Sequence, residues 1–248
     1  MTWLDNASQD AVDCFWQRAG GEPTKFPRNI EAALLAALPA AIIHLPKLGI
    51  NAVEHWLAIR NASYRFRCPD RPLRGCLVAF AGKALIFVDG TDSEDERRFT
   101  VAHEAAHLLY DYLRPRQQAI ATLGANVIEV LDGERSPTAA ERFHALLRSV
   151  PIGVHANLLD RAAGEAQVAE MISRSENRAD RIAFALVAPP HAVIAVSDIA
   201  ARPFDRRAKN MTEQLVCKFG LPEEAAKVYS SSLLTTMGKG PSWAESLR

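Results

Sequence analysis

The alternation of apolar and polar positions predicts several short helices and a β-hairpin. GCLVAFAG and KALIFVDG are apolar runs rich in Val, Ile and Phe, and the residues 81–83 between them are typical of a turn, so we expect a hairpin over 75–90. The segment INAVEHWLAI (50–59) carries its apolar residues on one helical face. Apolar residues at helical spacing predict further helices over 4–18, from after Pro27 to Leu38, over 137–149 with Ser136 as cap, and from about Glu165 to Val187.

Another helical pattern begins within the acidic segment TDSEDE. Ser93 and Glu96 have the spacing of a capping box, and acidic side chains in a first turn suit the positive end of the helix dipole. The apolar period continues through RRFTVAHEAAHLLYDYL, so we expect this helix to end at about Leu113, before Pro115. A long connection follows, at about 114–164, with one β-prone run, NVIEVLDG.

Composition and charge narrow the class of protein. The 248 residues are 48% hydrophobic, with 29 basic against 29 acidic side chains, as expected of a globular protein with a sizeable core. Non-specific nucleic-acid binding draws its affinity from a basic excess, so nucleic acid is not expected as a direct partner. The sequence shows no unbroken apolar stretch of about 20 residues and no export signal. We therefore expect a cytoplasmic protein without a membrane partner.

The pattern H-E-x-x-H at 103–107 carries the chemistry. His103 and His107 are four residues apart on a predicted helix, so both imidazoles can reach one ion. Two imidazoles suit Zn²⁺, whose catalytic sites use three protein ligands and keep a fourth position for water. Glu104 is rotated by about 100° from His103. It can therefore act as a general base beside the ion instead of binding it.

A third metal ligand has to come from elsewhere in the chain. The extended pattern H-E-x-x-H-x-x-G-x-x-H is absent, because Tyr110 and Leu113 occupy the positions of its Gly and last His. Among the next six glutamates downstream, Glu176 alone has a carboxylate or amide four residues later, at Asp180. We expect Glu176 to bind the ion and Asp180 to accept the second ring N–H of a zinc histidine. The alternative is an exposed acidic pair beside two arginines.

These segments resemble the ImmA/IrrE family of bacterial zinc metallopeptidases. The resemblance is carried by RFTVAHEAAHLL, by the apolar strand ALIFVDG before it, and by E-x-x-A-D-x-x-A-x-x-L-V-A-P from Glu176 onward. It implies that His103, His107 and Glu176 hold zinc and that Glu104 is catalytic. Asp180 takes the place usually held by Asn. The 68 residues between His107 and Glu176 are more than is usual for the family.

The resulting prediction is an α+β, zincin-like metallopeptidase fold: a small sheet packed on two metal-binding helices. We expect an N-terminal helical region at 1–74, a core at 75–200 with an insert at about 114–164, and a C-terminal helical extension at 201–248. Since known ImmA/IrrE members act in bacterial regulation, the resemblance implies a zinc metalloendopeptidase that cleaves a protein such as a helix-turn-helix repressor.

Two other functions stay open at this point. One is a catalytically silent regulatory or interaction protein that binds zinc structurally. The other is a DNA-binding regulator, supported only by the basic clusters at 60–74 and 202–209. The residue that stabilises the oxyanion is not assigned; the candidates are Tyr110, Tyr112, His155, Arg178 and His191.

Overall fold

The computed structural model describes residues 2–62, 64–160 and 170–243 and shows a small mixed sheet among helices. The strands are β1 (Ala40–Leu45), β2 (Leu73–Phe80), β3 (Lys83–Asp89) and β4 (His155–Asp160). Their order is β1-β3-β2-β4, with β1 parallel to β3 and β2 antiparallel to both of its neighbours. The structure confirms the predicted α+β class.

The helices surround this sheet and extend beyond it at both ends of the chain. They are α1 (Asn6–Arg18), α2 (Ile30–Ala37), α3 (Ile50–Ile59), α4 (Glu94–His107), a π-helix (Leu108–Leu113), α5 (Arg114–Leu123), a short 3₁₀-helix (Ala125–Val127), α6 (Ile128–Leu131), α7 (Ala139–Arg148), α8 (Glu170–Val187), α9 (Pro190–Val196), α10 (Phe204–Cys217) and α11 (Glu223–Thr236). The predicted start of α8 near Glu165 lies outside the described residues.

The hairpin expected over 75–90 is formed by β2 and β3. Their register pairs Phe80 with Lys83, which leaves a two-residue loop of Ala81 and Gly82. Both loop residues have positive φ, 49° and 73°, as the tight turns that match the twist of a hairpin require. Glycine adopts this conformation readily. The sheet therefore forms around the pair of strands with the strongest sequence signal.

The two outer strands were not predicted. β1 lies in the region 1–74 that was expected to be helical, where α2 ends before Pro39 and the chain turns into AAIIHL. β4 is a six-residue strand in the segment expected to be an insert. Neither AAIIHL nor HANLLD shows a clear alternation of apolar and polar residues. The domain boundaries at 74 and 200 stay predictions.

The run NVIEVLDG was expected to favour a strand, and this prediction is wrong. Its residues form the 3₁₀-helix and α6. Val127, Val130 and Leu131 follow a helical spacing and are all buried against Ala119 of α5. Burial on one helical face outweighs the β-propensity of the valines.

The sheet has an apolar layer on each side. Leu77 and Ala79 of β2 belong to the main core, which also contains the buried residues of α4 and α8. Cys76 and Val78 point to the other side and pack in the cluster that includes α3. This period-two alternation sets α4 and α8 on one face of the sheet and α3 on the opposite face.

We had expected the helical segment that contains the H-E-x-x-H pattern to end at about Leu113, before Pro115. The chain instead stays helical beyond this proline. α4 ends at His107, and the chain continues through the π-helix directly into α5. Pro115 is the second residue of α5, and proline is tolerated in the first turn of a helix. A proline after an apolar run is therefore compatible here with continued helix.

The C-terminal helices are fastened to the main core. The buried Arg98 guanidinium of α4 donates to the carbonyl of Gly220 at 2.7 Å, and the Tyr229 hydroxyl of α11 donates to the carbonyl of Ala188 at 2.8 Å. Within the described ranges, no single helix has the length and apolar character to cross a membrane; one bent pair, 174–187 with 190–196, passes that test by length and composition only.

Replacing Arg98 by Ala should loosen this C-terminal attachment. The change leaves the Gly220 carbonyl without its donor and removes buried aliphatic packing, so we expect the free energy of unfolding to fall by about 1–3 kcal/mol. Urea denaturation followed by circular dichroism measures it. Arg206→Ala, at an exposed position of α10, is the matched control and should stay within about 0.5 kcal/mol of the unchanged chain. Equal losses in both variants would contradict the anchoring role.

Candidate metal centre

Two imidazoles meet at the C-terminal end of α4. His103 and His107 lie on one face of the helix, and their residues are only 1% and 2% exposed. Their Nε2 atoms are 3.1 Å apart. The spacing of the pattern therefore brings the two nitrogens together, as expected from the helical repeat.

Glu176 of α8 completes a group of three. Its Oε2 lies 3.2 Å from Nε2 of His103, and its Oε1 lies 3.4 Å from Nε2 of His107. In a tetrahedral zinc site with bonds of 2.0–2.1 Å, neighbouring ligand atoms are about 3.3 Å apart. The three observed separations are close to that value. His103, His107 and Glu176 could thus hold one metal ion.

The outer nitrogens of both rings are held by carboxylates. Nδ1–H of His103 donates to Oδ1 of Asp180 at 2.9 Å, and Nδ1–H of His107 donates to Oδ2 of Asp111 at 2.7 Å. A carboxylate only accepts, so these bonds place the ring protons on Nδ1 and leave both Nε2 lone pairs directed inward. Two lone pairs and a carboxylate facing each other in a buried site repel unless a cation or proton lies between them.

The pKa values of the group reflect this need for positive charge. Burial lowers the pKa of His103, but its bonds to Asp180 and Glu176 outweigh burial and raise the pKa to about 10. Burial raises the pKa of Glu176, yet the two histidines outweigh it and lower the pKa to about 2. The site thus favours a negative carboxylate beside bound positive charge. A divalent cation meets the same demand, and its binding releases protons.

Glu104 is the most isolated polar group of the site. It is fully buried, and neither of its carboxylate oxygens makes a hydrogen bond of good geometry among the described residues, although the Asn157 side chain of β4 is near enough to lower its pKa. Burial raises its pKa to about 7, although the nearby charges of His103 and His107 lower it. A buried carboxylate without partners lowers the stability of the fold. Its presence therefore indicates a function, such as proton transfer near neutral pH.

Gly75 of β2 makes room for this carboxylate. A Cβ atom at position 75 would lie 2.7 Å from Oε1 of Glu104 and 2.6 Å from Cγ2 of Thr100. Both distances are shorter than van der Waals contact. The register of β2 with β4 shifts between Leu73 and Gly75. The glycine is therefore needed for the close approach of helix and strand.

Asp111 was missed by sequence reasoning. Besides the His107 ring, it accepts from the Ser175 hydroxyl at 2.8 Å and from the Arg178 guanidinium at 2.6 Å. These bonds explain why its pKa stays below the usual value although burial raises it. An acid four residues after the second histidine was a visible signal, but the π-helix that carries it could not be predicted from local pattern.

The residues considered for the oxyanion have different surroundings. The Tyr112 hydroxyl accepts the N–H of Gly82 at 2.9 Å, and the Arg178 guanidinium is bound to Asp111 and stacks on Tyr110 at 4.1 Å. His155 of β4 stacks on the Tyr112 ring at 5.9 Å, and burial lowers its pKa, so it is neutral at pH 7. His191 is exposed on α9.

Comparison with known proteins agrees with this geometry. Residues 48–147 match the family of peptidases described as the IrrE N-terminal-like domain, Peptidase_M78. No curated protein and no solved structure matches the chain.

The segment 48–147, with its H-E-x-x-H pattern, thus matches the model of the ImmA/IrrE family that the sequence resemblance implied. The family supports a metallopeptidase-type function. Glu176 and Asp180 lie beyond the matched segment, and their roles are supported by their distances to the two histidines.

Replacing Asp111 by Asn should weaken metal binding. The amide cannot hold Nδ1–H of His107 as a charged acceptor, so we expect the metal dissociation constant to rise by about 10–100-fold. Competition with a chromogenic zinc chelator measures it. Asp10→Asn, at an exposed position of α1, is the control and should leave the affinity unchanged. An Asp111→Asn affinity within twofold of the unchanged chain would show that Asp111 does not support the ligand.

Gly75→Ala should displace Glu104 without removing a metal ligand. We expect metal binding close to that of the unchanged chain, together with a marked loss of peptidase activity, because the added Cβ occupies the space of the Glu104 carboxylate. Metal content and the cleavage rate of a fluorogenic peptide are measured together. Ala79→Gly, in the same strand, serves as control for a general change in β2, since it creates no clash. Full activity of Gly75→Ala would disprove the steric role.

Proposed function

We propose that the protein is a zinc-dependent metalloendopeptidase in which His103, His107 and Glu176 hold the ion and Glu104 transfers protons. One observation carries this proposal. Two imidazole nitrogens and the Glu176 carboxylate converge at separations of 3.1–3.4 Å, close to those of a tetrahedral zinc site, while the neighbouring buried carboxylate of Glu104 makes no hydrogen bond of good geometry among the described residues.

The donor set favours zinc over harder cations. Two imidazole nitrogens and one carboxylate form a known catalytic zinc set, whereas Mg²⁺ and Ca²⁺ prefer oxygen ligands. When bound, zinc would supply a Lewis acid that polarises the peptide carbonyl and makes water a nucleophile near neutral pH. Asp111 and Asp180 contribute by fixing the ring orientations through the Nδ1–H bonds.

Glu104 moves the protons of the reaction. Its carboxylate accepts a proton from the attacking water, whose oxygen forms a bond to the carbonyl carbon of the substrate. The same group then delivers that proton to the leaving amine as the C–N bond breaks. A pKa raised by burial to about 7 suits both steps, because the carboxylate can accept and return a proton at neutral pH.

We further propose a protein substrate, namely a bacterial regulator of the helix-turn-helix class, and a cytoplasmic site of action. The support is the likeness of residues 48–147 to ImmA/IrrE proteins. A direct nucleic-acid partner is not proposed, since acidic and basic residues balance over the chain.

The alternative, a catalytically silent zinc-binding regulator, accounts less well for Glu104. A structural zinc site is closed by four protein ligands. Here three groups converge, and both oxygens of the nearby Glu104 carboxylate lack a hydrogen bond of good geometry among the described residues. The arrangement therefore favours catalysis.

Replacing Glu104 by Gln tests the catalytic role. The amide keeps the shape but cannot accept the proton, so we expect zinc binding to be retained and kcat to fall by about 10²–10⁴-fold. Zinc content is determined by mass spectrometry, and cleavage is followed on a purified helix-turn-helix repressor, with a chelator control. Glu213→Gln, on α10, should have no effect. Retained zinc with unchanged turnover would disprove the mechanism.

A further inference from the structure

Helix α7 is amphipathic, but its apolar face is turned to solvent. Phe143, Leu146 and Leu147 follow the i, i+3, i+4 spacing of one helical face and are 62%, 79% and 65% exposed. Ala145, on another face, packs against the cluster that contains Val130. A surface helix normally turns its apolar stripe to the core. This helix uses a small alanine for its own packing and leaves its large side chains free.

The local hydrogen bonds fix this orientation. The Arg135 guanidinium donates to both carboxylate oxygens of Glu141, at 2.8 Å and 3.1 Å, and Glu141 also receives the N–H of Thr138 in a capping box. These bonds lower the pKa of Glu141 to about 2. The charged face of α7 is thus held against its own preceding segment, and the exposed apolar face is a defined feature of the fold.

The size of the apolar face limits what can cover it. A large apolar side chain has on the order of 150–250 Å² of accessible surface, so the three exposed side chains present roughly 350–400 Å². A stable interface between two proteins buries about 800 Å² on each partner. The face is therefore too small by itself for a lasting dimer, but it suits a single helix of a transiently bound partner.

The charges around the face indicate the chemistry of that partner. Arg142 and Arg148 are exposed at either side of the apolar stripe, and neither has an ion pair among the described residues. The acid of this helix, Glu141, is already occupied by Arg135. The unpaired charges beside the stripe are thus positive, which favours a partner with acidic residues beside its own apolar stripe.

The position of α7 links it to the metal centre. α5 continues from the helix that carries His103 and His107, and α7 packs against α5. Beyond α7 the chain enters β4, whose first residue, His155, stacks on Tyr112. A protein bound to α7 would therefore rest on the segment that joins the metal helix to the edge strand beside the site.

We propose that the exposed face of α7 is a docking surface for the protein substrate and that it binds an amphipathic helix with acidic flanks. The inference rests on the proposed peptidase function. It assigns substrate selection to a surface in the chain segment between His107 and Glu176, apart from the residues that hold the metal.

The first test measures binding without cleavage. A fluorescein-labelled helical peptide with Leu at i, i+3, i+4 and i+7 and Glu at its flanks is titrated with the full chain in the Glu104→Gln form, and anisotropy is recorded. We expect binding to weaken by about tenfold or more in Leu146→Glu, since a buried leucine contact is lost. Val228→Glu is the matched control, at an apolar residue that is 60% exposed in the middle of α11, and should bind normally.

A charge-reversed peptide and a charge-reversed helix complete this test. The same peptide with Lys at its flanks should bind several-fold more weakly than the Glu form, and Arg142→Glu should reverse that preference. Absent binding, or equal binding by Leu146→Glu and the unchanged chain, would overturn the proposal. Self-association of the chain that Leu146→Glu abolishes would also overturn it, because a second copy would then cover the face.

The second test connects docking to cleavage. Two mixtures of fluorogenic peptides are offered to the zinc-loaded chain. The peptides of one mixture are free, and those of the other are each joined to the acidic helix. We expect the attached helix to lower KM by about tenfold with little change in kcat, and Leu146→Glu to remove this gain. Equal KM values would overturn the docking role. If neither mixture is cleaved while Leu146-dependent binding persists, the peptidase function fails, and the acidic-helix surface remains supported.

Discussion

The structure is organised around two imidazole lone pairs and a carboxylate that face each other inside a protein core. Such a group is stable only where the surrounding packing is strong enough to hold it, because desolvation and mutual repulsion both oppose it. The packing comes from α4 and α8, whose buried residues, Ala102 and Ala183 among them, belong to the main core. The contact between these helices brings Glu176 of α8 to the histidines of α4.

The same closeness governs the position of the proposed base. The Glu104 side chain lies between its helix and β2, where the absence of a side chain at Gly75 leaves space for it. A glycine weakens a strand, and a buried carboxylate without partners weakens a core. Both features lower the stability of the fold at the same point. Together they place a carboxylate of raised pKa beside the metal-binding residues. Costs concentrated in this way are typical of a functional site.

What could be predicted from the sequence was local. The capping box of α4, the tight turn of the hairpin and the i, i+4 histidines each depend on residues a few positions apart, and all of them are present in the structure. β1 and β4 were missed because neither AAIIHL nor HANLLD alternates clearly between apolar and polar residues. Asp111 was missed because its role depends on a π-helix and on contacts with α8, more than 60 residues away.

The contacts around Asp111 fix the orientation of the metal-binding side chains. Arg178 pairs with Asp111 and stacks on Tyr110, so α8 is tied to the π-helix behind His107 as well as to His103 through Asp180. The rings are thus fixed at their outer nitrogens while their inner nitrogens stay available. Among the described residues, the carboxylates of Glu104, Asp111, Glu176 and Asp180 and the guanidinium of Arg178 lie around them. While both rings are neutral, these groups carry an excess of negative charge within a chain of zero net charge, and a divalent cation is the simplest group that balances it.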